Sequence, residues 1–226
     1  MEFFVTFEGP EGSGKTTHTD LLSQYLKDQG YTVNLTREPG GTSLGESIRE
    51  LLLDPSDQNV NKRAELYLYL AARAQHVEER IRPALNRGEI VVCDRFTDAS
   101  LVYQGLGRNL GLETVHQFNQ HATNGLIPDL TFILDVPVDE GLREARNSSR
   151  TQWNSDRGDR IEQEGNHFHQ TVREGYRELA DRFPDRCVLL SRDAPIDHVQ
   201  QTIRNHVEEW LVNADENQPV RKQEAQ

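Results

Sequence analysis

Short apolar runs alternate along the chain with longer stretches in which apolar positions recur at helical spacing. The runs predict β-strands at residues 3–7, 32–36, 90–93, 131–134 and 187–190. Strands that are apolar throughout are buried on both faces, which is typical of parallel sheets covered by helices. The pattern therefore predicts an α/β fold with a five-stranded parallel sheet flanked by helices.

The helical stretches fall between these strands. The stretch 16–29 places its apolar side chains on one face and stops at Gly30, a residue suited to a helix C-terminus. The longest stretch, 62–86, contains Pro83, which we expect to kink or interrupt its last turns. The other predicted helices span 43–53, 98–104, 113–123, 139–146, 161–183 and 196–212.

Two segments depart from this alternation. Residues 147–160 are polar and basic and lie between two predicted helices, so we expect an exposed, mobile loop that closes over a ligand as a lid. Residues 213–226 have few apolar side chains and no periodicity, which predicts a disordered tail. We therefore expect one domain over residues 1–212, with the lid inside it and the tail after it.

A glycine-rich motif directly follows the first predicted strand. It matches G-x-x-x-x-G-K-[ST] in the strand, loop and helix context that phosphate-binding loops require. The backbone N–H groups of such a loop bind phosphates, Lys15 adds a flexible charge, and the Thr16 hydroxyl is placed to ligate Mg²⁺. The predicted nucleotide-binding residues of the loop are Gly9, Pro10, Glu11, Gly12, Ser13, Gly14, Lys15, Thr16 and Thr17.

This P-loop alone does not choose among kinases, GTPases, motors and partitioning ATPases. Guanine-specific GTPases usually carry an Asn-Lys-x-Asp motif, and the sequence at 61–64 breaks that pattern. The chain of 226 residues is also too short for a typical motor. Other parts of the sequence must therefore decide the function.

Charged residues stand at the ends of two further predicted strands. Arg37 follows the second strand within a Pro-Gly turn, and Asp94 and Arg95 follow the third. Ligands bind at the carboxyl ends of strands in open α/β sheets. An acid there suits Mg²⁺, and the adjacent arginine suits bidentate contact with a phosphate, although a plain Asp–Arg ion pair is the alternative.

The overall charge excludes some partners. With 37 acidic and 25 basic residues the formal net charge is −12, which argues against a protein that coats nucleic acid or binds membranes through basic residues. The lysines are only Lys15, Lys27, Lys62 and Lys222. An acidic surface poor in lysine suits a salt-rich cytosol, so we hypothesise a salt-adapted source, with an ordinary acidic cytosolic protein as the alternative.

The sequence also bears on the compartment. No stretch approaches the roughly 18 apolar residues of a membrane span, and residues 1–5 lack the basic start of a signal peptide. Cys93 and Cys187 each lie inside an apolar run, which predicts small core side chains in a reducing compartment rather than a disulfide. We therefore expect a soluble, cytoplasmic protein.

Seven ordered blocks resemble the thymidylate kinase family over nearly the whole chain, from residue 3 to about residue 210. The blocks are 7–17, 36–42, 64–73, 94–96, 99–105, 128–130 and 159–162. The resemblance implies a five-stranded parallel sheet with a mobile lid, a homodimer, and transfer of a phosphoryl group from ATP to dTMP with Mg²⁺. The alternatives are another P-loop nucleotide or deoxynucleoside kinase, or a non-catalytic nucleotide-binding switch.

The resemblance implies roles on the acceptor side. Arg37 and Arg95 would bind the dTMP phosphate, while Tyr69 would stack on thymine and Arg73 would donate to a pyrimidine carbonyl. Tyr103 would crowd the 2′ position of the sugar and favour deoxyribose. The full predicted substrate-binding set is Arg37, Tyr69, Arg73, Arg95, Ser100, Tyr103 and Gln104.

The resemblance also implies roles in the transfer itself. Glu11 would meet the sugar 3′-OH or a magnesium-bound water. One subgroup of the family carries an arginine where this chain has Gly12, so lid arginines should supply the transition-state cation: Arg160 matches best, then Arg157 and Arg146. Arg146 is also expected near the donor nucleotide. The predicted catalytic set is Lys15, Arg95, Asp94, Glu11, Arg160 and Arg157, and the predicted metal-binding residues are Thr16 and Asp94.

Overall fold

The computed structural model describes residues 2–56, 60–153 and 158–216. The strands in this part of the chain are β1 (Phe3–Glu8), β2 (Val33–Arg37), β3 (Ile90–Asp94), β4 (Leu130–Asp135) and β5 (Cys187–Ser191). All pairs are parallel, and the order across the sheet is β2-β3-β1-β4-β5. The predicted five-stranded parallel sheet is confirmed.

Helices cover both faces of this sheet. They are α1 (Lys15–Asp28), α2 (Ser43–Leu53), α3 (Lys62–His76), α4 (Arg82–Asn86), α5 (Thr97–Ser100), α6 (Leu112–Thr123), α7 (Val138–Trp153), α8 (Asn166–Arg182) and α9 (Ile196–Glu216). Two π-helical segments, Val77–Ile81 and Leu101–Gly107, continue α3 and α5.

Successive residues of the central strand β1 point to opposite faces of the sheet and pack in two separate parts of the hydrophobic core. Phe3 of β1 packs with Leu22 of α1 and Ile203 of α9 on one face. Phe4 points to the other face and meets the ring of Phe96 edge-on, with centroids 4.9 Å apart. Because side chains of a strand alternate in direction, a strand buried on both faces must be apolar at nearly every position, as the sequence pattern indicated.

Helix boundaries differ from prediction near the predicted lid. The predicted loop at 147–160 is wrong for 147–153, because α7 continues to Trp153. No glycine or proline occurs between residues 142 and 157, so nothing in the sequence stops helix propagation there. In the other direction, α8 starts only at Asn166 and not at 161, after a turn at 159–164. Residues 154–157 lie outside the described part.

The interruption expected at Pro83 occurs earlier in the chain. The α-helical pattern changes to a π-helix at Val77–Ile81, and Pro83 lies in the first turn of α4. Pro83 has no N–H to donate, and the α-helical hydrogen-bond pattern changes to a π-helical one just before it, with the Arg82 N–H donating to the Val77 carbonyl.

The end of the chain and the cysteines also bear on the predictions. Helix α9 extends to Glu216, four residues past the predicted end at 212, and 217–226 lie outside the described residues, so the predicted tail stays a prediction. Cys93 and Cys187 are buried and unpaired, as their apolar surroundings predicted. In the described ranges, no helix combines the length and apolarity needed to cross a bilayer.

Candidate active site

The predicted site residues meet at the carboxyl edge of the sheet, around two adjoining pockets. The inner pocket is lined by six of the seven predicted substrate-binding residues, namely Tyr69, Arg73, Arg95, Ser100, Tyr103 and Gln104. The loop pocket is lined by the P-loop from Glu11 to Thr17 together with Asp94. Arg37, the seventh, lines the loop pocket and pairs with Glu46 at 2.9 Å. Glu11 and Arg95 line both pockets, so the two pockets meet at these side chains.

The P-loop adopts a backbone that only glycine accommodates easily. Gly12 has φ of +66°, and a Cβ atom there would lie 1.9 Å from the carbonyl oxygen of Gly141 on α7. A larger residue at this position would therefore have to displace α7. This close contact gives a physical reason for glycine at this position.

Lys15 lies folded against the loop. Its Nζ donates to the carbonyl oxygens of Gly9 at 3.1 Å and Pro10 at 2.8 Å, and to Ser13 Oγ at 3.2 Å. Burial, together with repulsion from Arg95, lowers the pKa of Lys15 to about 8. The lysine still carries most of its charge at neutral pH, and an incoming anion would offer it a stronger partner than these neutral oxygens.

Thr16, at the start of α1, and Asp94, at the end of β3, bring two side-chain oxygens together. The Thr16 hydroxyl donates to Asp94 Oδ2 at 2.8 Å. Among the described residues there is no group of three or more histidines, cysteines or acids that would hold a metal by itself. Mg²⁺ binds through one or two protein oxygens and takes its other ligands from water and substrate phosphates, so this pair fits it.

Arg95 and Glu11 form the ion pair that separates the two pockets. Arg95 Nη2 donates to both carboxylate oxygens of Glu11 at 2.9 Å, and Tyr103 donates its hydroxyl to Oε1 at 2.9 Å. Burial raises the pKa of Glu11, but the charges of Arg95 and Lys15 outweigh it and bring the pKa to about 2. Glu11 is therefore ionised at neutral pH.

The backbone of Arg95 is strained and is held in place by buried neighbouring residues. Its φ is 69°, in the left-handed region that a residue with a Cβ rarely adopts. The fully buried carboxylate of Glu8 accepts from the next backbone N–H, that of Phe96, at 2.8 Å, and from the Tyr176 hydroxyl at 2.8 Å. Tyr176 in turn lies 3.4 Å from Arg95 Nη1. Glu8 and Tyr176 were not predicted from the sequence.

Arg73 is oriented by buried partners. Nε donates to Glu38 at 2.7 Å, Nη1 to Ser100 at 2.9 Å and Asn119 at 2.7 Å, and Nη2 to the Phe96 carbonyl at 2.8 Å. These bonds use four of its five N–H donors, so one remains on Nη2.

Glu38 is itself fixed by α3. Its other carboxylate oxygen contacts His76 Nδ1 at 2.9 Å, while His76 Nε2 contacts Thr36 at 2.7 Å. All three side chains are buried. Nothing in the sequence distinguished Glu38 or His76 from residues of a turn and a helix, since their partners are distant along the chain.

The predicted lid arginines have different positions. Arg160 is buried, donates Nε to the Leu52 carbonyl at 2.7 Å and lies 2.8 Å from Glu65, so this structure does not bring it to the loop pocket. Arg146 donates to the Glu162 carbonyl at 3.2 Å. Arg157 lies outside the described residues.

The pocket residues outside the predicted set include three charged ones, Arg192, Arg49 and Asp159. Arg192 lines the loop pocket and donates to the Gly12 carbonyl at 2.8 Å; it directly follows β5, so the strand-end argument used for Arg95 would have found it. Arg49 on α2 lines both pockets and carried no such signal. Asp159 lines the inner pocket, and burial together with repulsion from Glu11 raises its pKa to about 6.

We expect Glu8→Gln to change how stability depends on pH. Burial and repulsion from Asp98 raise the pKa of Glu8 from 4.5 to about 7. Between these values the folded state takes up a proton that the unfolded state does not, so the free energy of unfolding falls as pH rises from about 5 to 7. Glutamine mimics the neutral acid at every pH. Relative to wild type, Glu8→Gln should therefore gain stability from pH 5 to pH 8, measured by urea unfolding.

The matched control is Glu113→Gln on the exposed surface of α6. It should show no pH-dependent difference from wild type. Parallel stability profiles for Glu8→Gln and wild type would contradict the raised pKa.

Comparisons with known proteins agree with one another. Residues 7–203 match the family model described as thymidylate kinase. The thymidylate kinase of Desulfovibrio desulfuricans is 48% identical over 208 residues, 92% of this chain and 96% of that protein. That of Pseudomonas putida W619 is 49% identical over 200 residues, 88% and 93% of the two chains. A crystal structure of thymidylate kinase from Ehrlichia chaffeensis superposes with a TM-score of 0.72 at 34% identity, covering 91% of this chain and 98% of that one.

Proposed function

The chain belongs to the thymidylate kinase family and is a dTMP kinase with ATP as phosphate donor, and we propose that it transfers the γ-phosphoryl group in line between the two pockets. The products are dTDP and ADP. The observation that carries this proposal is that Glu11 and Arg95 line both pockets at once. A donor in the loop pocket and an acceptor in the inner pocket would meet there.

The acceptor nucleotide occupies the inner pocket in this proposal. Tyr69 stacks on thymine, the remaining donor of Arg73 binds a base carbonyl, and Ser100 and Gln104 complete the base contacts. Arg95 binds the 5′-phosphate in exchange for part of its contact with Glu11. Arg37 is half exposed and must leave Glu46 to reach a phosphate.

The donor triphosphate occupies the loop pocket. The loop N–H groups bind its phosphates, and Lys15 moves from the carbonyl oxygens of Gly9 and Pro10 to the β- and γ-phosphates. Thr16 and Asp94 would hold Mg²⁺, which would supply neutralisation of the phosphate charge. The acceptor phosphate is already anionic, so no general base is needed.

In this proposal closure of the lid, which begins with the last turns of α7, excludes water from the site. With Gly12 in the loop, the chain fits the subgroup in which other arginines neutralise the transition state. Arg146 and Arg157 are the lid candidates, and Arg192 is positioned by its bond to Gly12. Arg160 takes this role only if it leaves Glu65.

Two free cysteines agree with a cytoplasmic location.

An ADP-release assay with ATP and Mg²⁺ tests the function directly. We expect turnover with dTMP well above that with dUMP, dCMP or dGMP, highest at molar salt if the source is salt-adapted. Lys15→Ala should lose at least about a hundredfold in kcat. The exposed Lys27→Ala on the same helix is the control and should keep normal activity. ATP binding without dTMP-dependent ADP release would instead favour a switch.

Tyr103 should set the preference for deoxyribose. Its ring lies under the Arg95 guanidinium, 5.2 Å away, and its hydroxyl is tied to Glu11, so it has little freedom to make room for a 2′-OH. Tyr103→Ala should narrow the kcat/KM ratio of dTMP to its ribonucleotide counterpart about tenfold. Tyr103→Phe keeps the ring and should keep the ratio. Unchanged discrimination in Tyr103→Ala would contradict this role.

We also propose a homodimer formed through α2, α3 and α6. These helices pack side by side and expose Leu51, Tyr67 and Phe118, the last two in ring contact at 5.9 Å. Exposed apolar groups on adjacent helices are typical of an interface. Tyr67→Glu should shift sedimentation to the monomer, whereas Ile127→Glu, an equally exposed site before β4, should not. A monomeric wild type at micromolar concentration would refute the dimer.

A further inference from the structure

Glu65 lies at the centre of a buried charged cluster behind the inner pocket. It is fully buried on α3, one helical turn before Tyr69. Its Oε1 accepts from Gln104 Nε2 at 2.9 Å, and Arg108 donates to both carboxylate oxygens, at 3.1 and 3.0 Å. Arg160 lies 2.8 Å from Oε2. Gln104 lines the pocket and Glu65 does not, so Glu65 acts on a bound ligand only through its neighbours.

The chemistry of Glu65 decides which end of the Gln104 amide faces the pocket. Burial raises the pKa of Glu65, but hydrogen bonds and charge from Arg108 bring it below its ordinary value, so the carboxylate is ionised at neutral pH. An ionised carboxylate only accepts hydrogen bonds. The amide NH₂ of Gln104 must therefore turn toward Glu65, and the amide oxygen is directed away from it. The pocket wall presents a hydrogen-bond acceptor there.

We propose that Glu65 is a positioning residue that makes Gln104 select bases with an N–H donor on the facing edge. The inference rests on the proposed function, because it takes the base to lie beside Tyr69 and Arg73. The N3–H of thymine or uracil satisfies the amide oxygen. Cytosine has a lone pair at N3 and would place an acceptor against an acceptor. A buried polar group left unpaired in this way costs affinity that no apolar contact restores.

Arg160, which pairs with Glu65, also connects to a second wall of the pocket. Arg160 is held by Glu65 and by the Leu52 carbonyl, and its backbone N–H donates to the Leu53 carbonyl at 3.1 Å. Its neighbours Asp159 and Ile161 line the inner pocket. The two bonds to backbone carbonyls of α2 do not involve Glu65, so this wall keeps its anchor when Glu65 is changed.

Glu65→Gln tests the proposal in the full-length protein. A neutral amide both donates and accepts, so it no longer forces one orientation on Gln104. We expect the KM for dTMP and for dUMP to rise by the same factor, about tenfold, because both bases carry N3–H. The KM for ATP should stay constant, and the kcat/KM ratio of dTMP to dCMP should narrow.

Two further variants distinguish the positioning of Gln104 by Glu65 from a general loosening of the pocket. Glu164→Gln removes the other carboxylate of Arg108, 2.6 Å from its Nη1, without touching Gln104, and should leave the KM for dTMP unchanged. In a Gln104→Ala background, Glu65→Gln should add less than about a twofold effect, because residues that act through one group are not additive. Additive effects, or an equal rise in the KM for ATP, would overturn the proposal.

Glu65→Asp covers the case in which Glu65→Gln fails to fold. It keeps the negative charge for the two arginines but withdraws the carboxylate from Gln104, so the KM for dTMP should rise with unchanged KM for ATP. An unchanged KM for dTMP in a folded Glu65→Asp would refute the inference. A wild type that fails to phosphorylate dTMP would refute the proposed function instead, so the two failures are distinguishable.

Discussion

The ion pair between Arg95 and Glu11 is the contact on which the rest of the site depends. It stands where the two pockets meet, and it balances two cations that would otherwise repel each other, since Lys15 and Arg95 approach the same loop. The pair is only as fixed as the strained backbone of Arg95, whose own N–H donates to the Phe7 carbonyl at 2.9 Å. Strain of this kind persists where surrounding structure determines it, and Glu8 supplies that constraint by holding the next peptide group.

The proposed site would take two polyanions in an acidic chain, and its arginines are each held in place by a local acid. Glu38 holds Arg73, Glu11 holds Arg95, and Glu65 holds the pair Arg108 and Arg160. Burying such pairs costs desolvation that their attraction about balances, whereas removing one partner leaves an expensive buried charge. The acids therefore contribute orientation more than net stability. The net charge of −12 consequently says little about the field inside the pockets.

The sequence predicted what local pattern determines and missed what distant contacts determine. The strands follow from short apolar runs, and the P-loop from its spacing of glycines, so the five parallel strands and the loop pocket form as expected. Arg160 was assigned from its motif to the phosphates, yet its partners are Glu65 and Leu52, far away in sequence. Helix α7 was predicted too short because its last two turns are polar, and a polar composition does not end a helix that lacks glycine or proline.

The proposed specificity of the inner pocket depends on the hydrogen-bonding groups that its buried network leaves unpaired. Arg73 uses four of its five donors on the protein, so it offers a base a single N–H in a fixed direction. Gln104 donates its amide NH₂ to Glu65, so its amide oxygen is the group that it offers to a base. In the proposed complex this donor and this acceptor, which line the same pocket, match a carbonyl and an N–H on the edge of thymine. A flexible pair of side chains with the same atoms would adapt to either pyrimidine. The buried acids hold Arg73 and Gln104 in fixed orientations, and in this proposal that rigidity discriminates thymine from cytosine.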